Sequence, residues 1–325
     1  MLCDNWPSVK ENMRKWWRGE PIGRPLMRII AKRNQPIGDP DPMPSSVSLE
    51  DKYLSPIWRD AQMRNFCKTH RFMADAFPAV DLNLGAGSIA VYLGCKPIFR
   101  PDTVWFEAFV ENPEDFDIRF DPENSWLIRH LEVFKQAQKL AAGDYLVNLP
   151  DLVENIDILS AMRGPQNLCY DLMDQPEQIK KEIDRMNDIY FDYYDRFYNI
   201  IKGGDGSSSY TAFAIWAPGK VAKVQCDFSA MMSAEMYREF VLPAMKRQCE
   251  KLDYSLYHLD GPGALRHLDT LLEIKKLDAI QFVYGDGAAP ASRWIEVYQK
   301  IQNAGKNLHI SIAPDEVDFF MEHLN

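Results

Sequence analysis

From residue 254 onward the chain repeats one pattern: an apolar run, a glycine or proline break, then an amphipathic stretch. YSLYHLDG (254–261) precedes ALRHLDTLLEI (264–274), and DAIQFVYGDG (278–287) precedes SRWIEVYQKIQNAG (292–305). NLHISIAP (307–314) precedes DEVDFFMEHL (315–324). Parallel strands need a crossover long enough to hold a helix, so this alternation predicts a parallel sheet covered by helices. Few architectures fit it.

Upstream the same reading holds with looser spacing. A helix is expected over 8–18, a buried strand in RPLMRIIAK (24–32), and a Pro/Asp/Ser-rich loop over 35–48. Helix signals run through 54–71, and AFPAVDLNLGAG (76–87) reads as strand plus glycine turn. TVWFEAFV (103–110) reads as an excursion strand, SWLIRHLEVFKQAQKLA (125–141) as a helix and DYLVNLPDL (144–152) as a strand. A helical section follows over 154–202, then strands in 208–218 and 220–232. Ser233 suits an N-cap, with Glu235 in the first turn and an apolar stripe at Tyr237, Phe240, Val241 and Ala244. No internal repeat or interdomain linker stands out. The expected architecture is one (β/α)8 TIM-type barrel over 1–325, with 1–24 as a helical extension. Because the pattern ends on a helix, either the last barrel strand lies beyond Asn325 or the barrel closes in a different way.

Composition narrows the function classes. A net charge of −10 argues against a nucleic-acid binder, which needs basic surface to neutralise phosphates. No stretch approaches the roughly 20 apolar residues that span a bilayer. The opening MLCDNWPSVKENMRKWW lacks the apolar segment of a signal peptide, so a cytoplasmic location is expected. Six scattered cysteines without a CxxC pair read as buried thiols.

Chemistry concentrates just after the strands, at Asp81, Asp227, His258, Asp260, Asp286 and Asp315. In a β/α barrel such positions converge on one face, where active sites lie. His258 and Asp260 stand at i and i+2, so a strand puts both on one side. They are either a pocket pair or an imidazole bonded to a neighbour beside an aspartate that caps the next helix. Cys226 reads as a buried thiol, His267 as a packing or surface residue, and His309 as either pocket-facing or structural. Trp105, Tyr210, Trp216 and Tyr284 line a pocket or fill the core.

FSAMMSAEMYREFVLPAMKRQCEKLDYSLYHLDGPG (228–263) resembles the uroporphyrinogen decarboxylase superfamily. RGPQNLCYDLMDQPE (163–177) is similar to its Gly-Pro helix segment, and LNLGAGSIAVYLG (82–94) to its glycine-rich second loop. The resemblance implies a β/α barrel. The chain looks nearer the corrinoid-dependent methyltransferase branch, which implies methyl transfer between a corrinoid-binding protein and a thiol or other small acceptor, with zinc assistance. In that branch zinc is bound through His-x-Cys at this strand end and a later cysteine. Here the positions are His258 and Asp260, with the third ligand unassigned. The resemblance also implies catalytic roles for Asp81, Asp227 and His258, and substrate-binding roles for Arg28, Tyr170 and Asp286. The alternatives are a cofactor-free decarboxylase of the uroporphyrinogen type and a non-catalytic barrel that binds a corrinoid or tetrapyrrole.

Overall fold

Four strands, β9 (Val221–Gln225), β10 (Tyr254–Asp260), β11 (Ala279–Val283) and β12 (Asn307–His309), form the parallel sheet expected of the repeating pattern, in the order β12-β11-β10-β9. The computed structural model describes all residues except 1, 4, 45–47, 154, 212, 286–289 and 325. In chain order the strands are β1 (Arg28–Lys32), β2 (His70–Ala74), β3 (Ala79–Val80), β4 (Lys96–Phe99), β5 (Val104–Glu107) and β6 (Leu146–Val147). Then come β7 (Ser208–Tyr210) and β8 (Ile215–Ala217), ahead of β9 to β12. β3 and β6 pair in parallel, and a parallel bridge from Leu149 to Tyr210 carries the arrangement to β7. The fold is mixed α/β with parallel strands and covering helices. Its ladders run as separate arcs among the described residues.

The helices follow the sequence with local corrections. α1 (Trp6–Trp17) buries Val9, Met13 and Trp17 at i, i+4 and i+8, against Phe77 and Trp216. α2 (Leu49–Leu54) and α3 (Pro56–Thr69) cover the 54–71 signal, α4 (Ser88–Tyr92) follows the glycine turn, and α5 (Ser125–Ala141) matches its predicted span. The 154–202 section is three helices: α6 (Ile156–Arg163), α7 (Pro165–Asp174) and α8 (Pro176–Ile201). Both breaks precede a proline, whose ring pushes the preceding residue out of the helical region. Gly164 supplies the positive φ of +85° at the first break. α8 buries Ile179, Ile183, Met186, Tyr190, Tyr194, Phe197 and Ile201 as one stripe against the core.

Two strand expectations change. RPLMRIIAK is not a buried strand of the parallel set. Its strand, β1, pairs antiparallel with β2, and Ile29 is 42 % exposed. Exposed basic residues, Arg28 and Lys32, bracket the three apolar ones, which suits an outer hairpin better than a doubly covered strand. The 208–218 run is an antiparallel pair, β7 and β8, turned at Ala214 with φ +48°. Ser233 does cap its helix, accepting from Met236 N at 3.2 Å, and Tyr237, Phe240, Val241 and Ala244 are buried. That helix carries a π turn over Tyr237–Val241, just before Pro243, which cannot donate to the turn below it. No helix among the described residues is long and apolar enough to cross a membrane.

Candidate metal centre

The register of the parallel sheet builds the site. His258 on β10 lies opposite Gln225 on β9 and Gln281 on β11, and Gln281 lies opposite His309 on β12. Paired residues of a parallel ladder point to the same side, so these polar side chains form one row across otherwise apolar strands. One level below, Lys223 lies opposite Leu256. One level above stand Asp260 and, two residues past Gln225, Asp227.

Asp227, His258 and Asp260 come together. One ligand atom from each lies within 4.8 Å of the others. The sequence-based pair of His258 and Asp260 thus gains Asp227 as a third member, from the neighbouring strand end. Asp260 occupies the N-cap position of the next helical turn, yet its side chain makes no capping bond, so the capping alternative fails. His258 Nδ1 lies 2.5 Å from Gln281 Oε1. The amide oxygen can only accept, so Nδ1 carries the proton and the Nε2 lone pair is left for a ligand.

Asp227 is held from behind. Its backbone N–H and that of Phe228 each donate to the carboxylate of Asp157, both at 2.9 Å. Gln225 Nε2 donates to Asp227 Oδ2 at 2.9 Å. Asp227 and Asp260 are exposed and His258 is half-buried, so the trio is open to solvent. Desolvation raises the pKa of Asp227, opposed by the positive charges of His258 and Lys223 and reinforced by the charges of Asp260 and Asp151. Burial, then the charge of Asp227, pushes the Asp157 carboxyl up to about 7. Deeper down, Lys223 and Asp151 form a buried ion pair at 2.7 Å, with side-chain exposures of 4 % and 9 %.

The remaining expected residues are dispersed. Asp81, just past β3, accepts from Asn148 Nδ2 at 2.7 Å, and its negative charge acts on Arg28 and Arg59. Desolvation lowers the pKa of both arginines, Arg28 included, although Arg28 has accessible surface. Tyr170 sits on the outer face of α7, 59 % exposed, with no hydrogen bond or ring contact to the trio among the described residues. Asp286 lies outside the described residues. Of the aromatics, Tyr210 and Trp216 are core residues, while Trp105 is 63 % exposed.

Sequence reasoning passed over Lys223, Gln225, Gln281, Asp151 and Asp157. A signal existed for the first three. VAKVQCD places Lys223, Gln225 and Asp227 at alternate positions of an apolar strand, and DAIQFV does the same for Gln281. Nothing local marks Asp157, which reaches its partners from 70 residues away.

The donor set suits a divalent cation. One imidazole nitrogen and two carboxylates are established zinc ligands, and three protein ligands leave an open position of the catalytic type. A cation would also relieve the repulsion between Asp227 and Asp260. Gln281 behind His258 and Gln225 behind Asp227 are the outer supports such a site uses.

No protein-family model and no curated protein matches the chain. A solved methyltransferase from Methanosarcina mazei shares its fold, with a TM-score of 0.56 over 94 % of both chains at 10 % identity.

Proposed function

We propose that this protein is a methyltransferase that moves a methyl group between a corrinoid-carrying partner protein and a thiol or other small acceptor. The accompanying architecture is a single (β/α)8 barrel in which β3, β6, β7 and β9 to β12 are successive staves. Asp227, His258 and Asp260 hold a zinc ion at the mouth. One observation carries the reading: three metal-capable atoms converge within 4.8 Å at adjacent strand ends of a fold shared with a methyltransferase.

Zinc supplies a Lewis acid that lowers the pKa of an acceptor thiol or hydroxyl. The chain's residues do the rest. Gln281 fixes the His258 tautomer, and Asp157 with Gln225 aims the Asp227 carboxylate. Arg28, which feels the charge of Asp81, offers a guanidinium to an anionic group of the substrate.

The test is metal analysis of the purified chain and of His258→Ala, with methylcobalamin as surrogate donor in a thiol-methylation assay. The expected outcome is about one zinc per chain, lost together with thioether formation in the variant. Full metal retention in His258→Ala sinks the assignment. Release of CO2 from a porphyrinogen without added metal would establish the decarboxylase alternative. Tight tetrapyrrole binding without turnover would establish the non-catalytic one.

A further inference from the structure

In the row Gln225, His258, Gln281 and His309, the first three are tied. Gln225 donates to Asp227, and His258 shares a proton contact with Gln281. His309 differs. Its Nδ1 is sealed from solvent and has no hydrogen-bond partner among the described residues. Its ring faces the phenyl ring of Phe213, with centroids 5.4 Å apart, and the same phenyl lies 5.3 Å from His258. Burial pushes the His309 imidazole down to about 4, the charge of Arg28 acts in the same direction, and a contact with its own backbone acts the other way. The ring is therefore neutral near pH 7, with one N–H and one lone pair to offer.

An unmatched buried nitrogen calls for an explanation, and functional sites are a common one. The contrast with His267 is instructive. Its Nδ1 is also unpartnered, but its Nε2 already bonds Ser229 O at 2.9 Å and its ring stacks on Tyr237 behind the sheet. His267 is locked into packing. His309 stands in the row beside Gln281, and the charge of Arg28 reaches it. The residue after Phe213, Ala214, has φ +48°, and the phenyl lies tilted against both imidazoles.

We infer that His309 is a binding contact for the acceptor. Its Nδ1 hydrogen-bonds a hydroxyl or similar polar group on a small molecule that displaces the Phe213 ring and sits against the trio. This rests on reading Asp227, His258 and Asp260 as metal ligands. No bond is made or broken at His309. Its effect is selection of polar acceptors over hydrocarbon ones of equal size.

The experiment loads the full chain with Co2+, whose thiolate charge-transfer band reports acceptor binding without turnover. Thioglycerol and 1-propanethiol are titrated in turn. The unaltered protein is expected to favour thioglycerol by about three- to tenfold, the effect of one neutral hydrogen bond. His309→Phe keeps the ring bulk and should erase that preference while leaving propanethiol affinity unchanged. His309→Gln, which keeps a hydrogen-bonding group, should restore part of it. A preference that survives in His309→Phe, or one missing from the unaltered protein, overturns the inference. A chain that binds no Co2+, or shows no thiolate band with either thiol, overturns the metal reading, and the inference falls with it.

Discussion

The parallel sheet of β9 to β12 and the shorter strands before it solve the same problem differently. β10 pairs along five residues with each neighbour, so the inward alternation persists and carries three potential ligands to adjacent levels of one face. β3 and β6 pair over two residues each, and their strand-end groups are placed instead by a side-chain bond from Asn148 to Asp81. The outer hairpins, β1 with β2 and β4 with β5, carry exposed apolar residues, and β4 with β5 an exposed ion pair. Long ladders make a site by register. Short ones make it by individual contacts.

That contrast can be broken at its strongest point first. Lys223→Met leaves the Asp151 carboxylate buried and unpaired, and should cost about 3–5 kcal/mol of unfolding free energy in urea titration. A cost below about 1 kcal/mol would mean that the interior of the long-ladder half is wetter than its geometry implies. Asp157→Asn exchanges an acceptor for a donor facing the Asp227 and Phe228 N–H groups. It should weaken metal binding about 10–100-fold by competition against a chelating dye, as outer supports do elsewhere. Unchanged affinity would show that β9 aims Asp227 unaided.

A pH series sharpens the comparison in the other half. His130 on α5 is fully buried, 2.6 Å from the Tyr92 hydroxyl, and burial pushes its imidazole down to about 3. The unfolded chain binds that proton more readily. The stability this group contributes is therefore complete above about pH 6.5 and lost progressively as pH falls toward 3. The urea midpoint should drop over that window and drop less in His130→Gln. The smallest effect belongs to the β4–β5 hairpin, where Lys96 and Glu107 lie 3.7 Å apart with side chains 77 % and 58 % exposed. Lys96→Met should change stability by about 0–1 kcal/mol, read in the same titration.

Legibility followed the same division. The strand–helix alternation after residue 254 is written in local apolar periodicity, and each of its three strands appears there. α5 was readable to the residue because its stripe is long and bounded by Asn124, whose side chain accepts from Leu127 N at 3.1 Å. β1 was misread because five residues of mixed apolar and basic character do not reveal which edge they will pair with. The break between β7 and β8 was missed because a turn without glycine gives no local sign.

The site divides likewise. The sequence alone determined that His258 and Asp260 share one face of a strand, since i and i+2 alternation follows from backbone geometry and needs no partner. It could also have placed Lys223, Gln225 and Gln281 on inward faces by the same rule. Only the tertiary structure decided that Asp227 joins them, because that depends on the register between β9 and β10. It alone brought Asp157 from α6 to hold Asp227 and set Phe213 between His258 and His309. Those contacts join segments far apart in the chain, and their energies depend on the packing of the intervening elements, which no local pattern of residues encodes.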